Sequence, residues 1–201
     1  MEIYAPYIKS LDVKEKAVLL DADGIKVDNF SLVTSGNAKV NSLYIDCVSA
    51  ELDFGGGSQS NVTVDVDTKL RLSAENTSVN NVNQKGGNSE LKVKGSSTTN
   101  LKVETVGVDI EAGGSNVYIS GIASLLDVES AGGSMIDAEA LEVKEGNFLQ
   151  SGSSKCHVNV EDRMRVNLTG GCMLTFKRTP RIEVERIVNS TLIKADDPKR
   201  K

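Results

Sequence analysis

The chain lacks tryptophan, contains a single histidine and draws only 4% of its 201 residues from the aromatic types. Valine, leucine, isoleucine, serine, asparagine and threonine dominate instead, alongside 18 glycines. That is the makeup of short strands separated by tight turns. One histidine excludes a multi-histidine metal site. The three cysteines, Cys47, Cys156 and Cys172, are odd in number and match no metal spacing, which excludes a disulfide framework. No apolar run approaches the roughly 20 residues that cross a bilayer, and residues 1–10 lack the basic start and apolar stretch of a signal peptide. The chain as given is therefore expected to be soluble, with any export leader already removed. Its net charge of -5 is spread among interspersed bases rather than set against a basic stripe, which argues against nucleic-acid binding.

What is present is a repeat. Gly95, Gly114, Gly133, Gly152 and Gly171 recur at one fixed interval of about 19 residues, Gly57 lies two such steps before Gly95, and Asn76 stands at the midpoint. Asparagine is the other residue that tolerates a left-handed turn. One step beyond Gly171 lies Ser190; upstream, Gly36 and Gly55 repeat the spacing, so Gly55, Gly56 and Gly57 read as a two-residue slip. A period near 19 fits one coil of a three-sided solenoid, three short strands and three turns returning the chain about 4.8 Å above itself.

Between the glycines the apolar residues alternate. Leu70 and Leu72, Leu91 and Val93, Leu101 and Val103, Leu141 and Val143, Val158 and Val160, Val166 and Leu168, and Ile182 and Val184 each flank a polar or charged residue. Such pairs mark strands with one buried face. A β-sandwich also alternates, but it needs no turn of matching chemistry at a fixed interval. The sequence therefore predicts an all-β, right-handed parallel β-helix or solenoid with coils of about 19 residues. Residues 1–35, less regular, are expected to form an N-terminal cap or first coils; 36–194 the solenoid; 195–201, charged and containing proline, a disordered tail. The cysteines read as small core hydrophobes, with a Cys156–Cys172 bridge between neighbouring coils as the less favoured alternative.

The turns Ala131-Gly132-Gly133-Ser134, Ser151-Gly152-Ser153-Ser154 and Thr169-Gly170-Gly171-Cys172, each followed by an alternating strand, carry a family resemblance. The segment from Gly113 onward resembles the auto-transporter adhesin, head GIN domain family of exported Bacteroidetes proteins. Phe176 to Ile182 resembles that family's closing aromatic, Gly-Asn-Pro and strand, with Arg178-Thr179 in place of Gly-Asn. Cover is good from about Gly95 to Ala195 and weaker from Phe30 to Lys94. The resemblance implies an exported β-solenoid at the periplasm, outer membrane or cell surface, acting as an adhesin.

No residue is singled out as catalytic, cofactor-binding or metal-binding. Cys156 and His157 are neighbours on a strand and so point to opposite faces, which speaks against nucleophile and base. Asp21, Asp23 and Asp28 offer oxygen ligands at alternate spacing around Gly24 but lack the later bidentate glutamate of a calcium loop, leaving an acidic turn. Asp65 with Asp67, and Glu183 with Glu185, share a face as any solvated strand does, with no accompanying basic column expected by register. Asn80, Asn81, Asn83, Asn88, Asn100 and Asn116 are expected to stack amides across coils, first as structural ladders and second as a glycan-contacting face. Tyr44, Phe54, Tyr118, Phe148 and Phe176 are too scattered in sequence to form an aromatic platform. The Asn-x-Ser/Thr sequences at Asn61, Asn76, Asn167 and Asn189 are read as chance.

The reading that results is a non-catalytic, exported envelope or surface protein, adhesin or scaffold, holding a glycan or protein on a lateral face without a cofactor and capable of self-association. A polysaccharide-active solenoid enzyme and a self-assembling cytoskeletal solenoid are the alternatives.

Overall fold

The computed structural model describes residues 7–195. It consists of β1 (Ser10–Val13), β2 (Val18–Leu19), β3 (Ala22–Thr34), β4 (Lys39–Phe54), β5 (Gln59–Ala74), β6 (Val79–Lys85), β7 (Asn88–Lys94), β8 (Thr98–Glu104), β9 (Gly107–Gly113), β10 (Asn116–Ala131), β11 (Met135–Gln150), β12 (Lys155–Thr169), β13 (Met173–Lys177), β14 (Arg181–Val188) and β15 (Thr191–Lys194). Every pairing is parallel; inner strands pair with those one coil before and after, and β1, β2, β14 and β15 with one neighbouring coil only. The chain is an all-β solenoid of about 10 turns, spaced about 19 residues apart.

The turns set the period. Glu15, Gly36, Gly56, Asn76, Gly95, Gly114, Gly132, Gly152, Gly170 and Asn189 all have φ between +51° and +82°, and successive members stand one coil apart. They sit one above another: a Cβ on Gly56 would lie 2.7 Å from the backbone of Gly36. Only glycine meets both the left-handed conformation and that close approach without cost. The left-handed position is thus Gly56 rather than Gly57, and Asn189 rather than Ser190. The interval is a mean rather than a constant, shorter from Gly114 to Gly132 and longer from Gly132 to Gly152, because bulges add or remove a residue per coil.

Two residues beyond most of these turns lies a second column, Ala38, Ser58, Ser78, Ser97, Ser115, Ser134, Ser154 and Cys172, each at most 2% exposed. Ser134 and Ser154 donate to the carbonyls of Ala131 and Ser151 at 2.7 and 3.0 Å, and Cys172 Sγ lies 3.1 Å from that of Thr169. At the Ser134 and Ser154 turns a small buried hydroxyl, and at Cys172 a thiol, thereby closes the turn on itself, which satisfies a carbonyl that the tight bend removes from the ladder.

Alternation then fills the core. Leu32, Leu52, Leu72, Leu91, Ile110, Val128, Phe148 and Val166 stack as consecutive register partners, each at most 3% exposed. Each buried apolar side chain contributes about 2 kcal/mol against water, and register partners of similar shape such as Leu32, Leu52, Leu72 and Leu91 lie one above another at strand spacing. The middle coils comprise two runs of seven residues, as in β6 and β7 or β8 and β9, with a corner and a turn between them. Two runs replace the three short strands expected, since continuous alternation such as Asn80, Val82 and Gln84 leaves no break for a third side.

The N-terminal residues continue the stack: β1 pairs β3 and β2 pairs β4 in the shared parallel sense. Of the expected tail, 196–201 lie outside the described residues. Ala138 to Lys144, helix-friendly in composition, forms strand with a register slip between Ala138 and Val143. All three cysteines are free and buried, so no bridge joins Cys156 to Cys172.

Candidate functional site

Parallel stacking converts sequence positions one coil apart into neighbours on the surface. One outward column runs Asn61, Asn81, Asn100, Tyr118, Asp137, His157 and Thr175. At its start the amides form a ladder: Asn61 Nδ2 donates to the Asn41 carbonyl at 3.3 Å, Asn81 Nδ2 to Asn61 Oδ1 at 2.7 Å, and Asn100 Nδ2 to Asn81 Oδ1 at 2.9 Å. Each amide thus gives a proton back towards the preceding coil, and the series ends on the carboxamide oxygen of Asn100.

Tyr118 follows Asn100 and is 41% exposed. Asn81, Asn83, Asn100, Lys102, Ser120 and Asp137 surround it in a shallow trough of about 360 Å³. The trough owes its relief to a bulge after Tyr118, where the register slips before Ser120 and Gly121 takes φ +115°. A Cβ there would lie 1.9 Å from the Val103 carbonyl oxygen, so Gly121 fixes the bulge. On the next coil Glu139 and Glu142 swing outward, and Lys177 and Arg178 meet them at 2.5 and 3.5 Å. Those pairs wall the far end of the column.

The amide ladder is narrower than expected. Asn81 and Asn100 belong to it and are joined by Asn61. Asn80 is wholly buried and donates to Ser78 Oγ at 3.1 Å. Asn83 aligns with Thr63 and Lys102, Asn88 with Lys69, and Asn116 with Thr98 and Met135. Neighbouring asparagines diverge because successive strand residues face opposite ways. Ser60, Asn80 and Thr99 form an interior polar column whose Ser60 Oγ, Asn80 Oδ1 and Thr99 Oγ1 have no hydrogen-bond partner.

The remaining candidates separate. Cys156 points into the core, where burial pushes its thiol up, and His157 points outward. Asp23 and Gly24 lie in a bulge within β3 rather than a free turn, with Asp23 Oδ1 accepting from Gly24 N at 2.6 Å. Among the described residues no group of three or more histidine, cysteine, aspartate or glutamate side chains could hold a metal ion. Asp65 Oδ2 accepts from Tyr44 Oη at 2.7 Å, which pushes the phenol up. Glu183 and Glu185 do have a basic partner: Arg165 stacks on Glu183 in register and lies 3.7 and 3.6 Å from the two carboxylates. That pairing was hidden because the coil there is one position shorter than the regular interval.

On the opposite run, Asp109 stacks on Asp127 and Glu111 on Glu129. Burial first, then Asp127, holds the Asp109 carboxyl above its ordinary range. Glu111 is held below its own by Lys94 and Lys92 at 3.3 and 3.4 Å.

The lateral columns present polar side chains in shallow troughs, one of them, of about 310 Å³, lined by Asp109, Asp127, Glu129, Arg165 and Glu185, and the stacked coils place the chain in the class of parallel β-repeat modules. The family described as putative auto-transporter adhesin, head GIN domain matches residues 53–180, and the chain belongs to that family. Comparison with curated proteins and with solved structures gave no match. The family's description points to an adhesin-like surface protein. No helix among the described residues is long and apolar enough to cross a membrane.

Proposed function

We propose that this chain is a non-catalytic adhesin module, exported to the cell envelope or surface, whose lateral face holds an extended glycan. The observation that carries the reading is Tyr118 at the head of the asparagine ladder. Sugar recognition needs an apolar platform for the C–H face of a ring and bidentate polar groups for adjacent hydroxyls. Tyr118 supplies the first; Asn83, the open oxygen of Asn100, Lys102 and Asp137 supply the second. The shallow trough suits a chain lying along the face with modest affinity per residue, strengthened when several modules engage one polymer.

The test is titration of the isotope-labelled protein with a panel of neutral and acidic oligosaccharides, read by amide shifts. Shifts confined to the strands around Tyr118, and weakening of about tenfold in Tyr118→Ala, are expected. Saturable binding that Tyr118→Ala leaves unchanged, or a cleaved oligosaccharide, would overturn the reading. Localisation is checked separately by fractionating the native cell.

A further inference from the structure

The two ends of the solenoid match. β1 and β2 pair only inward, with β3 and β4; at the other end β14 and β15 pair only with β12 and β13. Among the described residues both end coils therefore present a row of backbone N–H and C=O groups with no strand opposite. Apolar side chains stand beside those rows: Val184 is 55% and Ile187 38% exposed at one end, Val18 50% at the other.

The register relates the two edges column by column. Leu11 begins the aliphatic stack that Val184 ends, Val13 begins the column that Ile187 ends, and Leu19 the one that Leu192 ends. The left-handed turn column likewise begins at Glu15 and ends at Asn189, with φ 58° and 51°. Asp12 and Arg186 are the two ends of a single outward column, and they carry opposite charge. Asp12 meanwhile pairs with Lys14 of its own strand at 2.5 Å.

The geometry points to head-to-tail association: the last coil of one copy receives the first coil of a second copy as its next turn. Val184 then packs on Leu11, Ile187 on Val13 and Leu192 on Leu19, while Arg186 meets Asp12 and the turn column runs on. Because the two surfaces differ, the contact is heterologous and does not close on itself; its product is an open filament rather than a dimer. Only the ends are used, so the lateral trough stays free. The inference is independent of the glycan reading.

Charge reversal across the contact supplies the test. Sedimentation of the full chain over a concentration series is expected to show mass rising in monomer multiples, with thin filaments by electron microscopy. Asp12→Arg and Arg186→Asp each set like charges together and are expected to weaken association about tenfold. The double variant and an equimolar mixture of the two single variants both restore opposite charges, and both are expected to recover it. Circular dichroism of each variant monitors the fold. A monomer at every concentration, a closed dimer, or reversals without effect on association would overturn the proposal, as would failure of the mixture to recover.

Discussion

The Arg178 guanidinium lies 3.5 Å from the carboxylates of both Glu142 and Glu161, yet its own backbone is in the left-handed region at φ 67°. Glycine takes this conformation without steric cost, which identifies what arginine costs here and what it gains. Arg178→Ala removes the ion pairs and keeps the strained turn; Arg178→Gly removes both. The glycine variant is expected to be more stable than the alanine variant by about 1 kcal/mol, read as a shift in denaturant midpoint at constant slope. Equal midpoints would mean that the turn stores no strain.

Gly121 is the most constrained residue beside the trough. Adding one methyl group drives a Cβ to 1.9 Å from the Val103 carbonyl oxygen, a backbone atom that cannot step aside without breaking the ladder to the preceding coil. Gly121→Ala is expected to destabilise by about 3 kcal/mol or more and to collapse the bulge. Gly133→Ala, whose Cβ meets nothing within 4 Å, is the control for backbone conformation alone. A wild-type melting curve for Gly121→Ala would show that the bulge relaxes freely.

The thiols are sealed in the core. Burial pushes Cys47 up to about 11 and Cys156 up as well, while Cys172 completes the serine column. A thiol reagent at pH 8 is expected to label none in the folded protein and all three once it is unfolded. Cys172→Ser is expected to be neutral within about 0.5 kcal/mol, because a hydroxyl can make the same bond to the Thr169 carbonyl. Rapid native labelling would place a thiol outside the core.

Asp109 sets the sign of one acid-range effect. Its carboxyl is raised by burial and by Asp127, so the folded protein binds that proton more tightly than the unfolded chain does. Ionisation therefore costs stability above the folded pKa, and the cost vanishes below the unfolded value of about 3.9. Asp109→Asn is expected to raise the melting temperature at pH 7 and to make no such difference near pH 3. A stabilisation equal at both pH values would remove the electrostatic cause.

The architecture was legible because a left-handed turn admits few residues. Glycine and asparagine therefore recur wherever the coil must return, and alternation between them assigns the inward face. Exact register was not legible: doublets such as Gly132-Gly133 and Gly170-Gly171 offer two left-handed candidates, both of which have positive φ, and Glu15 occupies a position that chemistry would not choose. The serine column recurs at the coil interval but was masked in sequence because serine is common throughout the chain and polarity does not reveal burial. Tyr118 joined the asparagines only in space, since the regular interval counted from Asn100 lands one position further on, at Ile119. Asn80 failed as a surface residue because polarity in sequence does not reveal which side of a strand a residue occupies.

Each coil of this protein leans only on the coils beside it, and insertion or loss of one whole coil at a turn leaves every column aligned. Length can then change through evolution without redesign of the core. Such a molecule is graduated in steps of about 4.8 Å, so its length follows directly from its number of coils.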